Sequence, residues 1–154
     1  MKSLQSEGRT PKTRSVDARE GSFEFLGFDF RRKRNPKTGK LIALIQPSRK
    51  SEQHFRDNVR ELTARWTHGA SQHNVVERVN RYVEGWVNYF YVHNSTKVFT
   101  RQRFFLEQRI RKYLQGRRQV KGFGFRRWPS AKLYKEFGLY AIPQYAPYRR
   151  ARTP

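Results

Sequence analysis

The stretch Val75 to Tyr91, VVERVNRYVEGWVNYFY, sets the terms for the rest of the chain. Its apolar and aromatic residues fall at Val75, Val79, Tyr82, Val83, Trp86, Tyr89 and Phe90. Steps of three and four place them in one wide stripe on a helix. Aromatic side chains let such a stripe bury much surface from few positions. Trp86, Tyr89 and Phe90 are therefore expected in the structural core rather than as platforms for stacked bases. Gly85 interrupts the stripe, and a glycine inside a helix costs about 1 kcal/mol relative to alanine. A close approach by another backbone or by a ligand is the expected reason for it. The other segments read as partners for this stripe, or as a basic coat around it.

The coat is heavy. Thirty-four Lys and Arg stand against twelve Asp and Glu, a formal net charge of +22. A compact chain so charged repels itself unless a polyanion relieves it. Nucleic acid and anionic membrane are the obvious polyanions. Aromatics make up 15% of the 154 residues, more than a disordered basic tail carries. Basic and aromatic together point to a folded nucleic-acid binder. The absence of cysteine excludes disulfides and thiolate metal sites. No apolar run approaches the roughly 18 to 20 residues of a membrane span. Met1 to Gly21 lacks the apolar stretch of a secretory signal. The expectation is a cytoplasmic protein with no membrane partner.

The chain before Phe23 is polar and, alone, would be disordered. Phe23 to Phe30, FEFLGFDF, and Leu41 to Gln46, LIALIQ, read as two strands joined through the turn signals Asn35-Pro36 and Thr38-Gly39. The first strand carries apolar groups on both faces and so needs cover on both. Pro47 stops the second strand, and Ser48 is placed to cap a helix of about residues 49 to 66, with Phe55, Val59, Leu62 and Trp66 as its stripe. The organising helix follows, capped by Ser71 or Asn74 and closed at His93 to Ser95. A third helix is expected from about Lys97 to Gln115, with Gly116 as its stop and an Arg103–Glu107–Arg111 ladder on a solvated face. Ser130 then caps a short helix that ends at Gly138. Prolines 143, 147 and 154 make the last stretch extended and irregular. The fold is expected to be mainly α, with a short N-terminal β-hairpin, a three-helix bundle and an irregular basic tail with one short helix.

Two basic clusters are candidate nucleic-acid contacts. One is the hairpin loop, with Arg31, Arg32, Lys33, Arg34 and Lys37. The other is RRQVKGFGFRRW, with Arg117, Arg118, Lys121, Phe123, Phe125, Arg126 and Arg127. Guanidinium groups bind phosphates bidentately, and exposed aromatics stack on unpaired bases. The plainer readings are a solvated charge run for the first and a linker whose aromatics tuck onto the bundle for the second. His54, His68, His73 and His93 lack metal-site spacing, GFGF is too short for a nucleotide-phosphate loop, and the serines lack acid–base partners. No catalytic residue, metal or cofactor is expected.

The residues also carry a resemblance. KTR at Lys12 to Arg14, REG at Arg19 to Gly21, FEFLGF at Phe23 to Phe28, Pro47-Ser48 and EGWVNYF at Glu84 to Phe90 resemble the C-terminal part of a group II intron reverse transcriptase, or maturase. FLGF resembles the strand leaving the polymerase palm. The segment from Pro47 resembles the maturase-specific domain, also called domain X or thumb. The resemblance implies four segments: 1–22, disordered or a palm remnant; 23–46, the hairpin; 47–116, the helical thumb; and 117–154, a basic aromatic extension.

One departure shapes the functional expectation. The family's polymerases hold two metal ions on paired aspartates, whereas the aspartates here are Asp17, Asp29 and Asp57, scattered among basic residues. The resemblance thus implies an RNA-binding module that holds structured group II intron RNA and assists its splicing, not an enzyme. Two alternatives stay open: the thumb half of a split reverse transcriptase acting with a separate fingers–palm chain, and a remnant of a truncated gene.

Overall fold

The computed structural model describes residues 22–146, apart from residues 93 and 120 and the side chain of Trp66. The expectations for residues before Ser22, for the closing role of His93 and for the chain beyond Ala146 lie outside the described residues.

The strands β1 (Phe23–Phe25), β2 (Phe28–Arg34) and β3 (Leu41–Pro47) form an antiparallel sheet in that order. FEFLGFDF, expected as one strand, turns back on itself at Leu26 and Gly27, which both take positive φ, 49° and 80°. Its two apolar faces are thereby folded onto each other: Phe23 pairs with Phe30, and their rings stack at 4.9 Å. Glycine is needed at 27 for space as well as for φ. A Cβ there would lie 2.7 Å from Ser51 Oγ and 3.3 Å from the Phe90 ring. The second turn falls where Asn35-Pro36 and Thr38-Gly39 indicate, and two 2.8 Å backbone bonds between Asn35 and the segment Gly39–Lys40 close it.

The helices are α1 (Arg49–Leu62), α2 (Gln72–Tyr89), α3 (Thr96–Arg117) and α4 (Ser130–Lys135), with a 3-10 turn at Arg65–Gly69. Ser48 and Ser71 cap α1 and α2, accepting from the amides of Ser51 and Asn74 at 3.2 and 3.1 Å. α1 ends before Trp66, because the chain turns extended at Ala64 and the Thr63 hydroxyl donates back to the Val59 carbonyl at 2.7 Å. α3 runs through Gly116, and the left-handed residue after it is Gln119 at φ 53°. Gly116 answers to packing instead: a Cβ there would meet His68 Cε1 at 3.0 Å. Gly85, expected at a close approach, faces open space.

One apolar core joins these elements. Phe55 and Val59 of α1, Val79, Val83 and Trp86 of α2, and Phe99, Leu106 and Ile110 of α3 are all buried in it. The Trp86 ring lies 4.7 Å from those of Phe55 and Phe90 and 6.0 Å from that of Phe99. Phe90 carries the contact on to the sheet through Phe28, at 4.8 Å. Trp86 and Phe90 are core as expected, but Tyr89 is not, with 54% of its surface exposed. Its ring rests on Phe28 at 5.5 Å while its hydroxyl reaches out to the Leu26 carbonyl at 3.1 Å, so an aromatic with a polar end pins the β1–β2 turn.

Polar contacts set the helix directions. The Glu52 carboxylate receives Arg101 Nη2 and Gln102 Nε2, both at 2.6 Å, near the start of α1. Arg109 Nε meets Thr63 Oγ1 at 2.8 Å just past its end. α1 and α3 therefore run parallel. α2 runs against them, since its final residues lie beside Gly27 and the start of α1. The sheet sits at one end of the bundle, and the loop after α3 leaves from the other. From Gln102 to Arg117 that is about 22 Å along the helix.

The Arg103–Glu107–Arg111 ladder is not a solvated face. Arg111 is 2% exposed. It donates to the Trp128 carbonyl and to Ser130 Oγ at 2.8 Å each, and to Glu107 at 3.2 Å. Glu107 also accepts from Ser130 Oγ and the Tyr134 hydroxyl, both at 2.6 Å. Ser130 is thus taken by this joint, and Pro129 holds the N-cap of α4 that was expected of it. The tail stays irregular beyond α4, yet Trp128, Leu133, Leu139, Ile142 and Ala146 are buried in the same core as the bundle. The Asn80 amide holds it in register, donating to the Gly138 carbonyl and accepting from the Tyr140 amide at 2.7 Å each.

Burial pushes the Glu107 carboxyl up, but the hydrogen bonds from Ser130, Tyr134 and Arg111 outweigh it and hold the group below its usual range. Its contribution to stability is complete above an ordinary carboxyl value of about 4.3 and is lost as pH falls through the lower folded value. Glu107→Gln should therefore lower stability by about 1 to 3 kcal/mol at neutral pH. The gap to the parent should close in acid, as urea unfolding at both pH values will read.

Candidate nucleic-acid interface

Apart from Arg117, the residues predicted in the second basic cluster come together around Trp128, which is 3% exposed. The guanidinium groups of Arg118 and Arg127 lie over its ring at 5.9 and 5.7 Å. Its amide donates to the Gly124 carbonyl at 2.8 Å and closes the loop. Gly124 is held at φ 73°, and a Cβ on it would overlap Gln115 Nε2 and sit 2.9 Å from the Trp128 ring. This close fit gives the loop a fixed shape and turns two aromatics outward. Phe123 is 78% exposed and Phe125 49%, with ring centres 6.3 Å apart. Arg111 lies beneath Phe125, 4.8 Å from its ring centre. Lys121, Arg126 and Arg127 are exposed beside them. Arg117 points the other way, donating to the Ala70 carbonyl and, at 3.2 Å, to the Tyr113 hydroxyl.

The structure adds residues to which the sequence assigned no role in this cluster. Arg60, Phe105, Arg109 and Lys112 line a hollow that Phe123 closes on one side. Arg109 and Lys112 also line the neighbouring hollow, with Arg65, His68 and Arg117. The two share these walls, and no acidic residue lines either. Arg109 is fixed by bonds to Thr63 Oγ1, the Thr63 carbonyl and the Arg60 carbonyl at 2.8, 3.2 and 3.3 Å. Burial, and then Arg60, lowers its pKa from a very high starting value, so it remains a cation. Arg60 lies over the Phe105 ring at 5.2 Å and pairs with Asp57 at 2.6 Å. A signal for this surface was present in the sequence. Phe105, Arg109, Lys112 and Gly116 recur at steps of four, three and four, one face of α3.

The hairpin cluster stands apart. Arg31, Arg32, Lys33, Arg34 and Lys37 are all exposed. Arg31 pairs with Asp29, and Arg34 donates to the Gly39 carbonyl at 3.1 Å. Strand alternation puts Arg31 and Lys33 on one face and Arg32 and Arg34 on the other. The cluster belongs to the sheet end of the bundle, away from the loop around Trp128. Among the described residues no three His, Asp or Glu come together as metal ligands. Asp29 and Asp57 lie on different elements, each beside an arginine.

Residues 52–134 match the family described as the group II intron maturase-specific domain. The chain belongs to that family. No curated protein matches the chain. The matched segment begins in α1 and ends in α4, so the helical bundle and the loop around Trp128 lie inside it, while the sheet and its basic hairpin lie outside. The maturase-specific domain is the maturase region of a group II intron protein and not its catalytic polymerase core.

Gly124→Ala tests how firmly the loop is built. The added methyl meets both Gln115 and Trp128 in a left-handed backbone, so the variant should lose about 1 to 3 kcal/mol. Trp128 should become more accessible to a fluorescence quencher, while far-ultraviolet dichroism reports unchanged helix.

Proposed function

We propose that this maturase-specific domain is an RNA-binding module. It holds structured group II intron RNA in a splicing-competent shape, and the RNA performs the splicing chemistry. The observation that carries the reading is the cationic surface at the end of α3. Arg60, Arg65, Arg109 and Lys112 line it without an acidic residue, and Phe123 and Phe125 project from the adjoining loop. Phosphate neutralisation supplies affinity, and stacking on exposed rings selects unpaired bases. The basic hairpin supplies a second contact at the other end of the bundle.

Binding to a group II intron RNA and to an unrelated structured RNA of equal length, across a salt series, tests this. With about six to ten phosphates neutralised, affinity should fall by about 10³ to 10⁵ between 50 and 200 mM salt, and a preference for the intron should survive at the top of the range. Equal, salt-labile binding to both RNAs would sink the reading. The two parts of the surface should also separate. Phe123→Ala with Phe125→Ala should weaken binding by about 1 to 3 kcal/mol per base stacked and leave the salt slope unchanged. Lys121→Gln with Arg126→Gln should reduce that slope by about one to two.

The sheet supports a second reading, in which this chain is the thumb of a split polymerase. Phe25 and Leu41 are 60% and 63% exposed, on the edge strands β1 and β3 that have no further strand beside them among the described residues, and Leu26 in the β1–β2 turn is 66% exposed. Open edges with exposed apolar residues fit docking on a separate fingers–palm chain. Co-purification with that chain, and RNA-templated synthesis only when both are present, is the expected result. A chain that stays monomeric and makes no such complex argues against it.

A further inference from the structure

The hollow between the 3-10 turn and the end of α3 holds a group that RNA binding by charge alone does not call for. It is a cavity of about 540 Å³, with Arg65 and His68 on one wall and Arg109, Lys112 and Arg117 on the other. Two of its cations are fixed before any ligand arrives. Arg109 is held by Thr63 and the Arg60 carbonyl, and Arg117 by the Ala70 carbonyl and the Tyr113 hydroxyl. Arg65 and Lys112 have no ion-pair partner among the described residues. The carbonyls at the end of α1, which would repel an anion, are already occupied by Arg109. His68 is wedged between the edge of the Tyr113 ring, 5.2 Å away, and Gly116.

We propose that this hollow receives one phosphodiester of the bound RNA, and that His68 takes up a proton when it does. The inference rests on the RNA-binding reading and deepens it by naming a phosphate site and its regulation by pH. The groups that face His68 are Arg65 on its own turn and Arg109, Lys112, Tyr113 and Arg117 on α3; none of the lining residues is a carboxylate. Burial, then Arg117, Arg65 and Arg109, lowers the His68 pKa, so the empty pocket holds a neutral imidazole at neutral pH. A phosphodiester brings a negative charge that does not itself titrate near neutrality. It offsets the surrounding cations and favours the imidazolium. Proton uptake on binding means that affinity rises as pH falls through the range between the free and bound pKa values. The phosphate would lie beside the hollow under Phe123, so a neighbouring base has a ring within reach.

Proton NMR of the histidine Cε1–H signals tests this on the whole chain from pH 5 to 8. Spectra are recorded free, with an RNA oligonucleotide carrying hydroxyl ends, and with inorganic phosphate alone. The free His68 should titrate below an ordinary imidazole. With RNA bound its pKa should rise by about one unit or more, with about a tenfold gain in affinity across the titration. His68→Gln should bind RNA with a flatter pH dependence, and backbone-linked assignment of His68 keeps the test independent of that variant. RNA that binds without moving His68 would overturn the phosphate site and leave RNA binding standing. A shift caused by inorganic phosphate but not by RNA would overturn it as well, as a free-anion site only. Absence of any RNA binding would remove the underlying reading and the site together.

Discussion

The buried pair between Arg111 and Glu107 is the contact on which the arrangement of the candidate interface depends. It couples three parts of the chain: α3, the end of the loop at Trp128, and α4 through Ser130 and Tyr134. Taking two charges out of water is costly, and their mutual attraction does not guarantee a net gain in stability. Here the remaining lone pairs and N–H groups are met by a backbone carbonyl, a serine and a tyrosine, which limits that cost. What the joint supplies is position. It holds Trp128 against the bundle, Trp128 closes on Gly124, and the turn so formed sends Phe123 and Phe125 outward.

The same logic explains where the few acids go. Twelve carboxylates cannot neutralise thirty-four cations, so their placement decides which cations stay free. Glu52 joins α1 to α3 through Arg101 and Gln102, and Glu107 joins α3 to α4. Both are withdrawn from the outer surface. Around the end of α3 this leaves Arg65, Arg109 and Lys112 facing a hollow without an acid in its lining. A chain of this charge has fewer ways to settle its own repulsion internally, and an anion at that surface would relieve it.

How much of this was legible in the sequence depended on whether the signal was local. The stripe from Val75, the caps Ser48 and Ser71, and the two turn signals of the hairpin are local, and each forms where its residues indicate. What failed was decided by contacts across the fold. FEFLGFDF reads as one strand until Ser51 and Phe90 are seen to press on Gly27. The ladder at Arg103, Glu107 and Arg111 reads as solvated because its partners, Trp128, Ser130 and Tyr134, lie 17 to 27 residues away. Tyr89 has core spacing, yet its hydroxyl is drawn to the Leu26 carbonyl, 63 residues away in sequence. The loop around Trp128 was legible as a cluster of residue types. The face of α3 with Arg109 and Lys112 was legible as a spacing, but its joining to Arg60 was not, because the parallel course of α1 and α3 brings those together.

The parallel course also bears on whether the two functional readings compete. The exposed apolar residues of the sheet and the cationic end of α3 are separated by most of a bundle, about 22 Å along the helix. Docking through Phe25, Leu26 and Leu41 would leave Phe123, Arg65 and Lys112 uncovered. Binding RNA at the far end would leave the sheet edges free. The basic hairpin is the exception, since it shares the sheet with the apolar residues and either partner would meet it. RNA held at both clusters must therefore span the length of the bundle, and a protein partner on the sheet would compete for the hairpin alone. That asymmetry leaves the end of α3, inside the matched domain, open under both readings.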